Sequence, residues 1–261
     1  MQTGRMRTEL VSESGDPDRA NEDFASVALP ASGRGGALVV LDGVTPPRGA
    51  TGCRHSVHWF TARLGGALTE LTVSLPDVPL GDVLGRAIAR TAEAHAQTCD
   101  LSHPRTPQAT VVLARWSAGA VDYLVLSDSM LLVESPDGTV TARLDDRLAR
   151  LPRSALATDA HIDAHLRNKE GGFFTAAADP AVAARAVTGT LPRGEVRTLA
   201  ALSDGAARWV ERFRQGDWAD CLGLVREEGA GALVERVRAL ERTHPGRGKR
   251  HDDATVVYVE L

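Results

Sequence analysis

The fold of this chain is decided by the stretch Leu38-Val39-Val40-Leu41-Asp42-Gly43. Four consecutive apolar residues followed by Asp-Gly predict a buried strand that ends in a turn and presents a carboxylate there. The same arrangement recurs where Leu199-Ala200-Ala201-Leu202 runs into Ser203-Asp204-Gly205. It is mirrored near the C-terminus, where His251-Asp252-Asp253 precedes an apolar, β-branched run. We therefore expect carboxylates at the ends of core strands, where a rigid scaffold presents functional groups.

Hydrophobic periodicity predicts further strands and helices on both sides of this stretch. The predicted strands lie at 7–13, 24–29, 37–41, 109–115, 121–126, 130–134, 138–143, 196–202 and 254–260. The predicted helices lie at about 52–72, 80–98, 179–189, 206–214, 217–227 and 230–243. This order lacks the regular alternation of a doubly wound parallel sheet. It favours an α+β fold, a four-layer αββα sandwich of two stacked, mainly antiparallel sheets flanked by helices.

The domain organisation is predicted to be simple. The sequence has no Pro/Ser-rich linker and no repeat of 20–50 residues, so we expect a single domain over 1–261. The segment at about 147–172 has little periodicity and ends in Glu170-Gly171-Gly172. A long irregular segment inside a compact domain is usually functional, so we expect a flap or lid there.

Composition excludes several classes of partner. The net charge of −4 gives no reason to expect nucleic acid or an anionic membrane as a partner. No apolar run approaches the roughly 20 residues needed to span a bilayer, and the N-terminus lacks the apolar stretch of a secretory signal. The three cysteines form no paired framework. We therefore expect a cytoplasmic monomer.

Two more acidic signals accompany the three at strand ends. Asp128 follows the apolar run 123–126, and Glu22-Asp23 precedes another. Taken singly, such residues are most often turns or helix N-caps. Taken together they would converge if their strands are neighbours, and convergent carboxylates repel each other unless a cation neutralises them. An all-oxygen donor set favours Mg²⁺ or Mn²⁺ over Zn²⁺.

In this order the motifs resemble the type 2C family of metal-dependent Ser/Thr protein phosphatases. The resemblance runs from Asn21-Glu22-Asp23 to Asp252-Asp253-Ala254-Thr255. It implies that Asp42 bridges two metal ions and that the Gly43 carbonyl, Asp204 and Asp252 are further ligands.

The resemblance also assigns an outer set of residues. It implies that Glu22 and Asp23 hold metal-bound waters and that Asp128 helps to bind a third ion, as in bacterial members of the family. Asp253 stands where the family usually has Asn. The cofactors implied are two Mn²⁺ or Mg²⁺ ions, with a third at Asp128.

Two departures from the family pattern concern the substrate side. The family's phosphate-binding Arg normally precedes the Glu of the acidic pair by four residues, but Asp18 occupies that position and Arg19 follows it. We expect Arg19 to take this role. The family's Gly-Asp-Ser-Arg motif reads Ser127-Asp128-Ser129-Met130 here. These departures suggest a divergent bacterial, actinobacterial-like branch.

The predicted activity is metal-dependent hydrolysis of phosphomonoesters through a metal-activated water, with a phosphorylated protein as substrate. Asp42, Asp204 and Asp252 would act through that water, and His251, His55 or His58 are candidates for protonating the leaving alcohol. Two alternatives stay open. The chain could act on a small phosphorylated metabolite, or it could be a non-catalytic member that binds and regulates a partner.

A zinc site is not expected from the sequence. Cys53 and His55 fall within the predicted helix at 52–72, where residues two apart do not share a face. Structural zinc sites usually use Cys-x₂₋₄-Cys pairs, and none is present. We expect Cys53 and Cys99 to be small buried apolar residues, with Trp59 packing its helix onto a sheet.

Overall fold

Two five-stranded sheets form the centre of the computed structural model, which describes residues 6–30, 35–47, 49–244 and 249–261. Each pair of neighbouring strands is antiparallel. In spatial order, the first sheet contains β1 (Thr8–Glu13), β10 (Ala254–Glu260), β9 (Thr198–Leu202), β6 (Met130–Glu134) and β7 (Val140–Arg143). The second contains β2 (Phe24–Ala28), β3 (Gly36–Leu41), β4 (Val111–Trp116), β5 (Ala120–Leu126) and β8 (Val187–Pro192).

Helices cover the outer face of each sheet. Those on the second sheet are α1 (Val57–Ser74) and α2 (Leu80–Glu93), which pack on residues such as Val39 and Leu113. Those on the first sheet are α5 (Asp204–Glu211), α6 (Trp218–Glu228) and α7 (Ala230–Thr243). A third apolar core lies between the sheets. Three cores separate four layers, which confirms the predicted αββα sandwich.

Three predicted helices differ from the structure. The helix expected from residue 52 begins at Val57, because the Ser56 side chain accepts the Trp59 N–H at 3.1 Å and caps it there. The helix expected to reach 98 ends at Glu93. The helix expected at 179–189 is a 3₁₀ turn at Pro180–Arg185 followed by strand β8, which pairs with β5 along its whole length.

The segment at 147–172 contains only short helical turns, which are α3 (Arg147–Arg150), α4 (Asp159–His161) and a π-helical turn at Ile162–Leu166. It is tied to the preceding loop, since Arg105 Nε donates to Asp163 Oδ2 at 2.6 Å and Arg167 Nη1 donates to Gln108 Oε1 at 3.4 Å. Its role as a lid stays a prediction, as does the single domain over 1–261.

Of the helices that the structure describes, none combines the length and the apolar character that crossing a bilayer requires.

Candidate active site

Strand ends from both sheets meet at one end of the sandwich. Asp42 directly follows β3, Asp204 opens α5 after β9, and Asp252 stands two residues before β10. The Asp204 backbone N–H donates to Asp42 Oδ2 at 3.2 Å, which joins the two sheets at this point. A Cβ on Gly205 would collide with the backbone carbonyl of Asp253, so only glycine lets these two segments lie so close. The structure therefore brings together the three predicted direct ligands.

The acidic pair lies directly beside these residues. Asp23 is buried, and its Oδ2 accepts from Thr255 Oγ1 at 2.6 Å. Its other oxygen, Oδ1, has no hydrogen-bond partner among the described residues. Glu22 Oε2 accepts from Thr45 Oγ1 at 2.5 Å. An unpartnered buried carboxylate oxygen is costly, and a cation or its bound water would satisfy it.

Asp253 has a different role from its acidic neighbours. Its Oδ1 accepts from the Gly15 N–H at 2.8 Å, and its Oδ2 accepts from the Glu22 N–H at 2.7 Å. Both oxygens are thus used to hold the 15–22 loop, which carries Arg19 and Glu22. An Asn at this position has only one such oxygen, so the Asp is suited to clamping two N–H groups at once.

The pKa values of the active-site carboxylates indicate a site for a cation. Burial raises the pKa of Asp23 to about 7. Burial, reinforced by the charges of Asp128 and Asp252, raises the pKa of Asp204 to about 7. The pKa of Asp42 is raised well above its usual range by burial and by the Asp204 charge, and burial also raises that of Asp128. Burial and neighbouring charges thus disfavour the ionised form of these carboxylates, which a bound cation would stabilise, and oxygen donors of this kind fit Mg²⁺ or Mn²⁺.

Two basic side chains contact the third ligand, and the sequence analysis missed both contacts. Arg208 Nη2 donates to Asp252 Oδ2 at 2.7 Å, and Lys249 Nζ donates to Asp252 Oδ1. Buried Glu241 holds Arg208 in this position, because its Oε1 accepts a hydrogen bond from Arg208 Nη1 at 2.6 Å. The helical spacing of Arg208, four residues after Asp204, is a signal that could have found it.

The carboxylates of the active site, which we call the carboxylate ring, are spread apart. Within the described part of the chain, no three of its side chains bring one oxygen each within 4.8 Å of one another. Asp252 is turned toward Arg208 and Lys249, which occupy both of its oxygens. A cation that binds Asp252 must therefore compete with these two side chains.

The remaining predicted residues lie around this ring. Exposed Arg19 shares a small cavity with Glu22, Thr45, Lys249 and Asp253. Asp128 is half-buried behind Ser127, which adopts φ +71°, a conformation that favours the glycine normally found in the family motif.

The three candidate histidines are all engaged by protein groups. His251 Nδ1 lies 2.8 Å from Glu241 Oε2, and His58 Nδ1 lies 2.8 Å from the Asn21 carbonyl. His55 is turned away from the carboxylates, with its Nδ1 3.3 Å from Cys99 Sγ. Of the three, only His251 lines the cavity that contains Arg19.

A four-layer sandwich with carboxylates gathered at its strand ends defines a class of metal-dependent hydrolases. Within that class, a family model described as Protein phosphatase 2C matches residues 18–241, so the chain belongs to the protein phosphatase 2C family. It is therefore a metal-dependent phosphatase. A search of curated protein sequences finds no match.

Solved structures share the fold at low sequence identity. The serine/threonine phosphatase Stp1 from Staphylococcus aureus is 13% identical, with a TM-score of 0.63 over 98% of this chain and 95% of that chain. A serine/threonine phosphatase of S. agalactiae is 15% identical, with a TM-score of 0.62 over 98% of this chain and 100% of that chain. PppA of Pseudomonas aeruginosa, described as a regulatory component of T6SS, is 17% identical, with a TM-score of 0.58 over 98% and 97%. These likenesses concern the fold alone.

Proposed function

We propose that this chain removes phosphate from phosphorylated Ser and Thr side chains of proteins, with two Mn²⁺ or Mg²⁺ ions as cofactors. The observation that carries the proposal is the half-buried carboxylate cluster around Asp42 and Asp204, whose pKa values are raised. Buried Asp23, beside them, also has a raised pKa, and its Oδ1 lacks a partner among the described residues. Such a cluster is stable with all its charges only when cations occupy it.

The ligands come from both sheets. Asp42 and the Gly43 carbonyl would hold the ions from the second sheet, and Asp204 and Asp252 from the first. Glu22 and Asp23 would bind the water around them, and Asp128 is the candidate ligand for a third ion. When bound, a pair of divalent cations lowers the pKa of water to near neutrality and balances the charge of a phosphoryl group.

The phosphate group has its own cationic neighbours. Arg19 and Lys249 line the cavity beside Glu22, and their charges would attract a phosphate dianion. His251 lines the same cavity, and Glu241 holds its ring by one nitrogen; this supports His251 as the group that protonates a leaving alcohol.

The size of this cavity bears on the class of substrate. It has a volume of about 30 Å³, whereas pockets that enclose small metabolites typically have about 300–1,000 Å³. A larger cleft of about 360 Å³ lies near Gly36 and Trp116, at the opposite end of β3, and Asp122 is the single carboxylate in its lining. The cavity is too small to enclose a whole metabolite, which favours a phosphoprotein that presents its phosphate from the surface. A purely regulatory role is disfavoured because Asp42, Asp204 and Asp252 are all present.

The test is hydrolysis of an aryl phosphate and of phosphopeptides with Mn²⁺ or Mg²⁺. We expect turnover that Asp204→Ala abolishes and that Glu70→Gln, a change at an exposed carboxylate on α1, leaves intact. A panel of sugar and nucleotide phosphates compared with phosphoserine and phosphothreonine peptides separates the two substrate classes. A folded, metal-loaded sample without turnover on any of these would refute catalysis, and a preference for the small phosphates would refute the protein substrate.

A further inference from the structure

Four metal-binding side chains meet away from the carboxylates, between the start of α1 and the end of α2. They are Cys53, His55, His95 and Cys99, and their donor atoms all lie within 4.8 Å of one another. Cys53 Sγ is 3.3 Å from His95 Nδ1, and Cys99 Sγ is 3.3 Å from His55 Nδ1. The two sulfurs are 2.7 Å apart and belong to free cysteines. We call this set the Cys/His site.

The backbone brings the two halves of the Cys/His site together without help from the side chains. Cys53 and His55 lie in the loop before α1, and His95 and Cys99 lie in the turns that follow α2. The Asp100 N–H donates to the Gly52 carbonyl at 2.7 Å and so joins the two segments. Gly52 has φ +71°, and a Cβ there would lie 2.9 Å from the Asp100 carbonyl oxygen. This position requires glycine on both counts.

The surroundings do not suit apolar cysteines. Cys53 and Cys99 are half-buried, not buried as the sequence analysis expected, and their sulfurs face imidazole nitrogens instead of apolar atoms. His95 is only 2% exposed, and its Nε2 has no partner among the described residues. His55 stacks on Trp59 with ring centroids 4.1 Å apart, which fixes the plane of its ring.

We propose that Cys53, His55, His95 and Cys99 bind one structural Zn²⁺ ion. Two thiolates and two imidazoles are a donor set that zinc binds tetrahedrally, and the two thiolates balance its charge. With Zn–S bonds of about 2.3 Å, tetrahedral geometry separates the sulfurs by about 3.8 Å, so each must move by only about half an ångström. Four protein ligands leave no open position, which distinguishes a structural site from a catalytic one.

A disulfide between Cys53 and Cys99 is the competing chemistry. It would use the two sulfurs but would give neither imidazole a partner, although both are positioned at the sulfurs. One reason not to expect zinc was the predicted helix over Cys53 and His55, on which the two residues could not share a face. Since α1 begins at Val57, that restriction does not apply.

The first experiment measures the metal content of the full chain, purified under reducing conditions without added metal and dialysed briefly against EDTA to remove weakly held ions. We expect about one zinc per chain to remain. Cys99→Ser should lose it, whereas Cys221→Ala, at a cysteine in the other helical layer, and His103→Gln, at a nearby histidine outside the set, should retain it. A folded wild-type chain without zinc, with two reactive thiols or with a Cys53–Cys99 disulfide, would overturn the proposal.

The second experiment does not depend on whether a cysteine variant folds. Replacing zinc by Co²⁺ in the wild-type chain should give the intense visible bands of tetrahedral cobalt and a thiolate charge-transfer band in the near ultraviolet. His55→Cys should keep the metal and strengthen the charge-transfer band, because it adds a third thiolate. A weak, octahedral cobalt spectrum would contradict the assignment. Neither measurement depends on phosphatase activity.

Discussion

The carboxylate site and the Cys/His site both gather metal-binding side chains, but they differ in how closely those side chains approach each other. The carboxylate site gathers Asp42, Asp204, Asp252 and their acidic neighbours in an open ring, in which Arg208 and Lys249 hold both oxygens of Asp252. The Cys/His site gathers two sulfurs and two imidazole rings, which approach each other closely.

This difference teaches what each site is suited to. An open set of oxygen donors leaves positions on its ions for water and substrate, which a phosphatase needs. A closed set of sulfur and nitrogen donors holds its ion permanently and stabilises the fold instead. The following predictions test whether one site serves chemistry and the other serves stability.

The largest effect is expected from Asp42→Asn, which removes the carboxylate that joins the two sheets at the active site. The rate of aryl phosphate hydrolysis should fall about 10³-fold or more, equivalent to about 4 kcal/mol of transition-state stabilisation. Zinc content should not change. If the variant lost zinc as well, the two sites would not be independent; steady-state kinetics and metal analysis on one sample check both.

The reverse experiment is the double variant Cys53→Ala/Cys99→Ala. We expect the midpoint of thermal unfolding to fall by about 10 °C, because a structural ion and its cross-link are lost. At low temperature, kcat should stay within about threefold of wild type, since neither cysteine contacts a carboxylate of the active site. Calorimetry and kinetics at 15 °C provide the measurement, and Cys221→Ala is the control for removing a thiol. A loss of activity as large as that of Asp42→Asn would show that the Cys/His site also serves catalysis, contrary to this prediction.

Changing the pH should change the stability of the chain through the carboxylate site. The folded pKa values of Asp23 and Asp204 are raised to about 7, above the value of about 4 in the unfolded chain. Their stabilising contribution is therefore complete below about pH 4 and is lost as the pH rises through 7. Arg208 and Lys249 face the same cluster and offset part of this loss.

The chain without divalent ions at the carboxylates should thus melt several degrees lower at pH 8 than at pH 5.5, and Mn²⁺ should remove that difference. Thermal unfolding with and without Mn²⁺ at both pH values measures it. Asp23→Asn should reduce the pH dependence. A metal-free chain that is more stable at pH 8 would contradict the raised pKa values.

The smallest effect is expected from Arg19→Ala, because Arg19 is exposed and solvent weakens its attraction for phosphate. KM should rise about tenfold, which corresponds to about 1.4 kcal/mol, with kcat nearly unchanged. Arg86→Ala, at an exposed arginine on α2, is the matched control. Added salt should raise KM of the wild type more than that of Arg19→Ala. If salt raised KM equally in the wild type and in Arg19→Ala, Arg19 would have no role in phosphate binding.

Most of the fold could be predicted because the sequence of each predicted strand, taken alone, already shows a strand pattern. The strand Gly36–Leu41 is buried along its whole length, and its unbroken apolar run shows this directly. The strand Val187–Pro192 could not be predicted, because the alanine-rich run before it has helical composition and the pairing with β5 that makes it a strand is distant in sequence. Tertiary contacts overrode local propensity there.

The two sites were predictable to different degrees for a similar reason. Each active-site carboxylate follows or precedes its own strand, so the signal is local. The Cys/His site joins residues that are 42 to 46 positions apart, and its recognition also depended on where α1 begins. The hydroxyl of Ser56 determines that start, and the pattern Ser-x-x-Trp before an apolar stripe was the available clue.

The spacing of the Cys/His site has a consequence for how the chain folds. Each half of the site is local, so an unfolded chain already carries two short metal-binding pieces, before and after the helical pair α1–α2. Zinc that joins them closes this loop early, at an entropic cost of about 4 kcal/mol that the metal bonds can offset. The most distant pairing, β1 with β10, then joins Thr8 to Val259 after part of the chain is already ordered. We therefore expect zinc to speed refolding, with α1 and α2 gaining amide protection before the sheets do.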